Sequence, residues 1–596
     1  MSTTTPYEFL YQFRDNEFVQ NQMIEKMAEL AKLRKVSNFK KLFQDYVKAQ
    51  KKAAGIILAD STTQFDGQEL ELNCGQWRAD EYGITREGPY GGEVEACNHP
   101  LLPVMRLVNI DTGVEKLQLA YRKGKQWRHV IAEKKVLASN NAILDLANVG
   151  IAVTSENAKY LVQYLHDVEA MNYDRIPERN SVSRFGWIHG EGFSPYVENL
   201  VYDGESNFKG LFDSVRQQGT FEKWLDTAKK VRSGDSIPAR AILAASFASP
   251  LVTLSEALSF FVHLWGSESG TGKTVGLMLA ASVWADPQAG KYIKSFNSTM
   301  VSLELAAGFV NHLPLILDEF QMVKNKKDFE GIVYMLAEGI GKGRGSKTGG
   351  IRETPTWKNC ILTSGEMPIT NFITGADAFN RIVEIECTKK LFPDPMAVLA
   401  SIKSTYGHAG RRFIERLQEE GAADRVRELY SQHYRRITQS DTTEKQAMAG
   451  AVLLTADQLA TEWIFCDGKA LKYEDISDFL QTKAEVDINE RAYDYICETV
   501  AANAQRFLPA AETGEIWGKF SGDQVYIIRS IFERICEEGG YSSRATLSWL
   551  MRRGFIETTQ SAAGKPIPTK LCKLNGGTVR CVALQLKADT EWLDDF

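Results

Sequence analysis

The stretch WGSESGTGKT, Trp265 to Thr274, ends in the Gly-Lys-Thr of a phosphate-binding loop, but its opening glycine stands one residue early. The usual spacing, G-x-x-x-x-G-K-[ST], puts the first glycine where this chain has Ser267, and the glycine is Gly266. The flanks decide the reading. SFFVHLW (259–265) has the apolar, aromatic and β-branched content of a buried strand, and TVGLMLAASVWA (274–285) suits a helix packed on a sheet. A glycine loop between strand and helix lets successive backbone N–H groups face a phosphate at the helix N-terminus. Here those groups belong to Gly266, Ser267, Ser269, Gly270, Thr271 and Gly272. Lys273 would reach the β- and γ-phosphates of ATP, and Thr274 would offer its hydroxyl to Mg²⁺. Ser267 takes the opening position if Gly266 relieves the turn just before it.

The loop has partners downstream. LPLILDEF (313–320) is an apolar run ending in two acids, and a buried parallel strand delivers such carboxylates at its C-terminal edge. Asp318 would hold the Mg²⁺, and Glu319 would polarise the attacking water as a general base. The alternative is a strand followed by an exposed acidic turn. CILTSGEMP (360–368) would place Thr363 or Ser364 near the γ-phosphate as a sensor. In AFNRIVEIEC (378–387), Arg381 precedes a strand-like alternation. At a subunit edge it would complete a neighbour's site; otherwise it is a surface arginine or a structural ion pair. Four elements in this order make a stronger signal than any one of them.

The rest of the chain sets the frame. At 596 residues it is too long for one ordinary domain, and 44% hydrophobic with 24% charged residues suits large buried cores. A net charge of −6 argues against a surface coated in nucleic acid but leaves room for a small basic patch. The nine cysteines form no C-x-x-C and the eight histidines no H-E-x-x-H, which argues against structural zinc and for a reducing compartment. Ala241 to Trp265 is almost wholly apolar, but Pro250, Glu256 and His263 interrupt it. A buried helix followed by a buried strand is the reading taken, with no membrane span.

Texture divides the chain into five parts: a basic helical segment (1–65), a mixed α/β domain (66–235), the nucleotide core (236–400), a helical region (401–510) and a C-terminal unit (511–596). Residues 24–52 carry nine Lys/Arg against three acids, either a solvated face or an arm touching nucleic acid or a partner. In the second part, MRLVNIDTGVEKLQLAYRKG (105–124) alternates about an Asp-Thr-Gly turn, a hairpin signal. In the C-terminal unit, VYIIRSIFERICEE (525–538) and SSRATLSWLMRRGFIET (542–558) read as helices, followed by a β-like pair turning at Asn575-Gly576-Gly577. Helix, turn, helix and β-wing is the winged-helix pattern, which serves DNA or protein contacts. Arg544, Arg552 and Arg553 are its candidate DNA contacts.

The order GTGKT, LILDE, LTSGE and FNRIVEIE resembles an AAA+ ATPase core of the helicase type found in phages and mobile elements. The block from about 75 to 410 is similar to a family long catalogued as a domain of unknown function, on HPLLPVMRLVNIDTG, GIAVTSENAKYL, RFGWI, FFVHLWG, LMLAASVWADP, TPTWKNCILTSGEMP and NRIVEIEC. The resemblance implies an α/β AAA+ P-loop core and a ring-forming, ATP-driven DNA helicase or replication initiator. A hexamer is expected, acting in the cytoplasm of a bacterial host, with a primase or other replication proteins as further partners.

Between the acid-bearing strand and the sensor strand lies GIGKGRGSKTGGIRETPTWK (339–358), with five basic residues and one acid. Lys342, Arg344, Lys347 and Arg352 are its candidate single-stranded DNA contacts, on a hairpin or flexible loop that would line a ring's channel. A solvated basic loop without a ligand is the alternative. Two other function classes stay open: an ATP-switched DNA-binding initiator or regulator without unwinding, and an AAA+ remodeller of proteins. Primer synthesis is not supported, since the chain has no zinc-ligand cluster and no convincing acidic polymerisation site.

Overall fold

The structure is a computed structural model that describes residues 5–14, 16–53, 61–88, 92–320, 326–345, 351–352, 354–373, 375–507, 515–522, 524–561, 564–574 and 576–586. Two compact units make up the chain: Met1–Ser183 with Ile188–Ser206, and Arg184–Trp187 with Asn207–Phe596.

In the first unit, the hairpin expected around Asp111-Thr112-Gly113 forms, pairing Leu101–Asn109 antiparallel with Glu115–Lys123. The Asn109 side chain accepts the N–H groups of Asp111 and Thr112, and Gly113 supplies the left-handed residue at φ 69°. Gln126–Glu133 continues the meander, while Glu178–Val182 and Val201–Tyr202 add in parallel on the other side, giving a five-stranded sheet. The helix Ala158–Met171 buries Leu161, Leu165 and Val168, and Tyr164 donates its hydroxyl to the Leu101 carbonyl at 2.7 Å. The N-terminal helices Thr5–Tyr11, Glu17–Leu33 and Phe39–Ala53 share a small core of Leu10, Ile24, Phe39, Phe43 and Val47.

The second unit is built on five parallel strands in the spatial order Lys294–Ser295, Leu315–Asp318, Cys360–Gly365, Phe260–Trp265, Ile382–Glu386. Parallel strands covered by helices are buried on both faces, so they read as near-continuous apolar runs. Phe260–Trp265 and Cys360–Gly365 do so, with every residue but Trp265 buried. We call these the loop strand (260–265), the middle strand (360–365) and the acid strand (315–318).

The apolar segment 241–265 resolves into the helix Ile237–Leu254 and the loop strand. This helix is long and apolar enough to cross a membrane, but 72% of its apolar window is buried inside the protein. Ser236 caps it by accepting the Ala239 N–H, and the helix Glu444–Ala460 packs along it. Residues 207–235 group with this unit: the Trp224 indole donates to the Ser282 hydroxyl at 2.9 Å, and Arg232 pairs with Asp457 and Asp467.

At the C-terminus, Val525–Glu538 is not one helix. Gln524–Ile528 is a strand and the helix runs Arg529–Glu538. The alternation of buried Val525 and Ile527 with Tyr526 suits a pleated half-buried strand, and Gly577–Gln585 is there to pair with it. A second helix, Ser543–Arg553, follows the turn at Gly539-Gly540, and the expected hairpin forms between Lys570–Leu574 and Gly577–Gln585. The result is a helix-turn-helix backed by a four-stranded antiparallel sheet.

Candidate nucleotide site and nucleic-acid interface

The early glycine has a packing reason. A Cβ at Gly266 would lie 3.0 Å from the carbonyl oxygen of Cys387, whose N–H donates to the Trp265 carbonyl at 2.7 Å. Gly266 therefore lets the edge strand close on the loop, while Gly270 (φ 77°) and Gly272 (φ 94°) make the turn. Ser267, Ser269 and Gly270 are exposed, and Thr271 is buried with its carbonyl accepting the Leu391 N–H at 2.9 Å. The helix Lys273–Ser282 starts at once. The Lys273 ammonium folds over the loop and donates to the carbonyls of Gly266 (2.7 Å) and Glu268 (3.0 Å) and to the Thr271 hydroxyl (3.4 Å). Thr274 is exposed in the first turn.

Strand register brings the acids to the same edge. Trp265 stands beside Gly365, and Leu317 beside Thr363. Ser364 then donates its hydroxyl to Asp318 Oδ1, and the Glu319 N–H donates to the same oxygen at 3.0 Å. Glu319 adopts φ 65°, the left-handed region that costs a residue with a Cβ about 1–3 kcal/mol and clusters at functional sites. Its neighbour Phe320 anchors that turn, its ring packed on Phe296, Phe329, Phe372 and His263. The Glu319 side chain is left exposed past the strand end.

Thr363 does not join this group. Adjacent residues of a strand point to opposite faces, so Thr363 turns from the acid and meets His263 Nδ1 at 2.8 Å. His263 Nε2 lies 3.0 Å from the Met367 carbonyl, which can only accept. The proton is therefore on Nε2, and Nδ1 accepts from Thr363. Burial pushes the His263 pKa down to about 4, and the nearby Lys273 charge pushes the same way. This neutral histidine ties the loop strand to the middle strand directly beneath the loop.

Arg381 requires a correction. A group that completes a neighbour's site must reach out of its own chain, and Arg381 is only 7% exposed. It donates to the Ala337 carbonyl at 2.6 Å and pairs with Asp377 (3.0 Å) and Glu338 (3.3 Å). It is a structural arginine that joins the segment before the edge strand to the helix Lys326–Glu338.

The basic loop is a ribbon, with Arg344–Gly345 antiparallel to Ile351–Arg352. Lys342 is exposed. Arg344 instead turns inward, both guanidinium arms on the Glu304 carboxylate at 2.9 and 2.6 Å. Lys347 lies outside the described residues, and of Arg352 only the backbone is described. In the helix-turn-helix, Arg544 and Arg552 are exposed, two turns apart on the helix Ser543–Arg553 with Ser548 between them on the same stripe. Arg553 lies over the Trp549 ring, 5.5 Å from its centroid.

Sequence reasoning missed His263, Phe320 and Glu304. Glu304 left a signal, a lone acid within the apolar helix Met300–Val310. His263 left one too, as a lone histidine interrupting an apolar run, while Phe320 left none, since it sits in an apolar run as ordinary core residues do.

Residues 77–356 match the family described as a domain of unknown function (DUF927), and residues 487–589 match the Cch helix turn helix domain. No curated protein matches the chain. Among solved structures, the SCCmec type IV Cch active helicase is similar with a TM-score of 0.60 and 18% identity, over 86% of this chain and 97% of that one. At that identity the likeness is one of fold. The A-form apo structure of the NrS-1 C-terminal region gives a TM-score of 0.28 and 13% identity, over 80% of this chain and 96% of that one. Residues 77–356 are therefore a domain of the family long catalogued as a domain of unknown function, whose motifs the sequence carries, and the chain shares its fold with the SCCmec Cch helicase structure.

Proposed function

We propose that the chain is an ATP-driven DNA helicase or replication initiator of a phage or other mobile element, with an AAA+ core and a C-terminal winged-helix domain. One observation carries this reading: the Lys273 loop, the Asp318–Glu319 pair and Ser364 gather at the C-terminal ends of neighbouring parallel strands, where open α/β sheets bind ligands. The middle strand inserted between the loop strand and the acid strand supports an AAA+ core. The fold shared with a structure named an active helicase, and the match to the Cch helix-turn-helix, support a role on DNA.

The residues suit Mg²⁺-ATP. Nothing lies within 4 Å of the Cβ position at Gly270, so the loop backbone is open to a phosphate on that side. Lys273 would exchange its loop oxygens for the β- and γ-phosphates. Thr274 and Asp318 offer the hard oxygen ligands that Mg²⁺ takes, and Mg²⁺ when bound neutralises phosphate charge. Ser364 aims Asp318, and Glu319 takes the proton of the attacking water. Six copies would form a ring whose channel carries the ribbon, with Lys342, and with Lys347 and Arg352 further along, following the strand's phosphates. Arg544, Arg552 and Arg553 would hold duplex DNA. A primase or other replication proteins would act alongside it in the cytoplasm of a bacterial host.

The helix-turn-helix favours a second reading, an initiator that binds DNA and uses ATP only to switch assembly. Steady-state ATPase with and without single-stranded DNA, with Glu319→Gln as the blank, separates the two. Turnover that rises severalfold with DNA and vanishes in the variant is the helicase outcome. Turnover above the blank but indifferent to DNA sinks the motor and leaves the switch.

A further inference from the structure

The ribbon is zipped at its base. A Cβ at Gly339 would lie 2.6 Å from the Trp357 carbonyl oxygen, and the Trp357 N–H donates to the Gly339 carbonyl at 2.9 Å. Ile340 bridges to Thr356, and the Gly341 N–H donates to the Pro355 carbonyl at 2.8 Å. Beside this base runs the helix Met300–Val310, with Glu304 fully buried on it. The Glu304 carboxylate accepts both arms of Arg344 and the Lys342 N–H, the last at 3.2 Å. A Cβ at Gly341 would come within 2.5 Å of Glu304 Oε1, so the glycine makes room for the carboxylate. Each of these donors comes from the ribbon.

We infer that Glu304 and Arg344 form a latch that sets the ribbon's position and couples it to the nucleotide site, Arg344 being a positioning residue and Lys342 the phosphate contact beside it. The inference rests on the helicase reading and deepens it. A carboxylate removed from water is costly unless it is paired and hydrogen-bonded, so Glu304 holds its guanidinium firmly. The two-pronged geometry fixes the angle as well as the distance of the arginine, and leaves its two terminal nitrogens engaged. The other end of the connection is short. Ser295 pairs beside Asp318, the Phe296 N–H donates to the Asp318 carbonyl at 2.9 Å, and Thr299 caps the Glu304 helix by accepting the Ser302 N–H. A displacement of the acid strand is thus passed to Glu304 through one capped helix, and from Glu304 to the ribbon.

The test uses the full chain and its Lys342→Gln, Arg344→Gln and Glu304→Gln variants. Binding to oligo-dT is measured across a salt series, and ATPase with and without saturating oligo-dT. Lys342→Gln should lower the slope of log K against log salt by about 0.7 for each phosphate it no longer neutralises. Arg344→Gln and Glu304→Gln should keep the wild-type slope and basal ATPase but lose most of the stimulation by DNA. Arg344→Lys, which keeps the charge and loses the fork, should recover only part of it. A slope lowered in Arg344→Gln as much as in Lys342→Gln would make Arg344 a phosphate ligand and overturn the latch. So would full stimulation in both Arg344→Gln and Glu304→Gln; should the buried Glu304 variant fail to fold, Arg344→Gln on the surface ribbon decides alone. An unstimulated wild type marks the other failure, that of the helicase reading, and takes the coupling with it.

Discussion

The glycine-loop edge of the parallel sheet and the ribbon beside it are both charged residues set on short turns, but their charges are governed differently. At the edge, Lys273, Asp318, Glu319 and Ser364 stand where the strand ends put them, and Ser364 meets Asp318 because the register of two strands leaves no other arrangement. In the ribbon, Lys342 and Arg344 are two residues apart on the same glycine-rich turn, and one faces water while the other grips a buried acid. The backbone decides the first case; a distant helix decides the second. A motif is therefore a safe guide to a side chain's role where local geometry fixes its direction, and a poor one where the partner comes from elsewhere in the chain.

Lys273→Ala should give the largest effect and is the sharpest test of the edge. ATP turnover should fall to background with nucleotide affinity lost, measured by ATPase and by binding of a fluorescent nucleotide. Retained affinity would mean that the loop holds phosphate by its backbone alone.

The buried side of the same edge should be sensitive to acid. His263 is neutral in the fold with its pKa at about 4, against an ordinary value of 6.5. Below 6.5 the unfolded chain takes up a proton that the folded chain refuses, so this contribution to stability is whole above 6.5 and is lost as pH falls towards 4. At about 1.4 kcal/mol per pH unit the loss approaches about 3 kcal/mol. Thermal unfolding followed from pH 7 to pH 4 should show it, and His263→Asn should flatten that limb.

Arg381→Ala should separate a structural arginine from a catalytic one. Loss of its hydrogen bonds to Ala337 and Asp377 and its ion pair with Glu338 should destabilise the fold by about 2 kcal/mol while nucleotide affinity stays intact. Mixing it with Lys273→Ala protein should rescue no turnover, and rescue in trans would return Arg381 to the subunit edge. The smallest effect is expected in the helix-turn-helix. Arg552→Ala should weaken duplex binding by roughly threefold, equally across sequences, with the salt slope slightly reduced; a change confined to one sequence would make it a base reader.

Where the reading from residues succeeded, the cause is local. The Asp-Thr-Gly turn made its hairpin because Asn109 caps it from within the same segment. The apolar 241–265 run split into helix and strand at the turn it already contained, where Glu256 takes φ 54°. Where the reading failed, the partner was remote. Val525–Ile528 runs into the amphipathic helix that follows and reads as its first turn, but the strand Gly577–Gln585 claims it.

The sequence by itself determined the glycine loop between strand and helix, the acid-bearing and middle strands, and the helix-turn-helix, because glycine turns, buried apolar runs and capping residues act within a few positions of themselves. Only the tertiary structure decided why the first glycine is displaced, which of Thr363 and Ser364 meets the acid, and that Arg381 and Arg344 face inward. Each of those depends on a group from another element: the Cys387 carbonyl, the Asp318 carboxylate, Asp377 with Glu338, and Glu304. A side chain's charge is written in the sequence, but its partner is chosen by the packing that brings the two together.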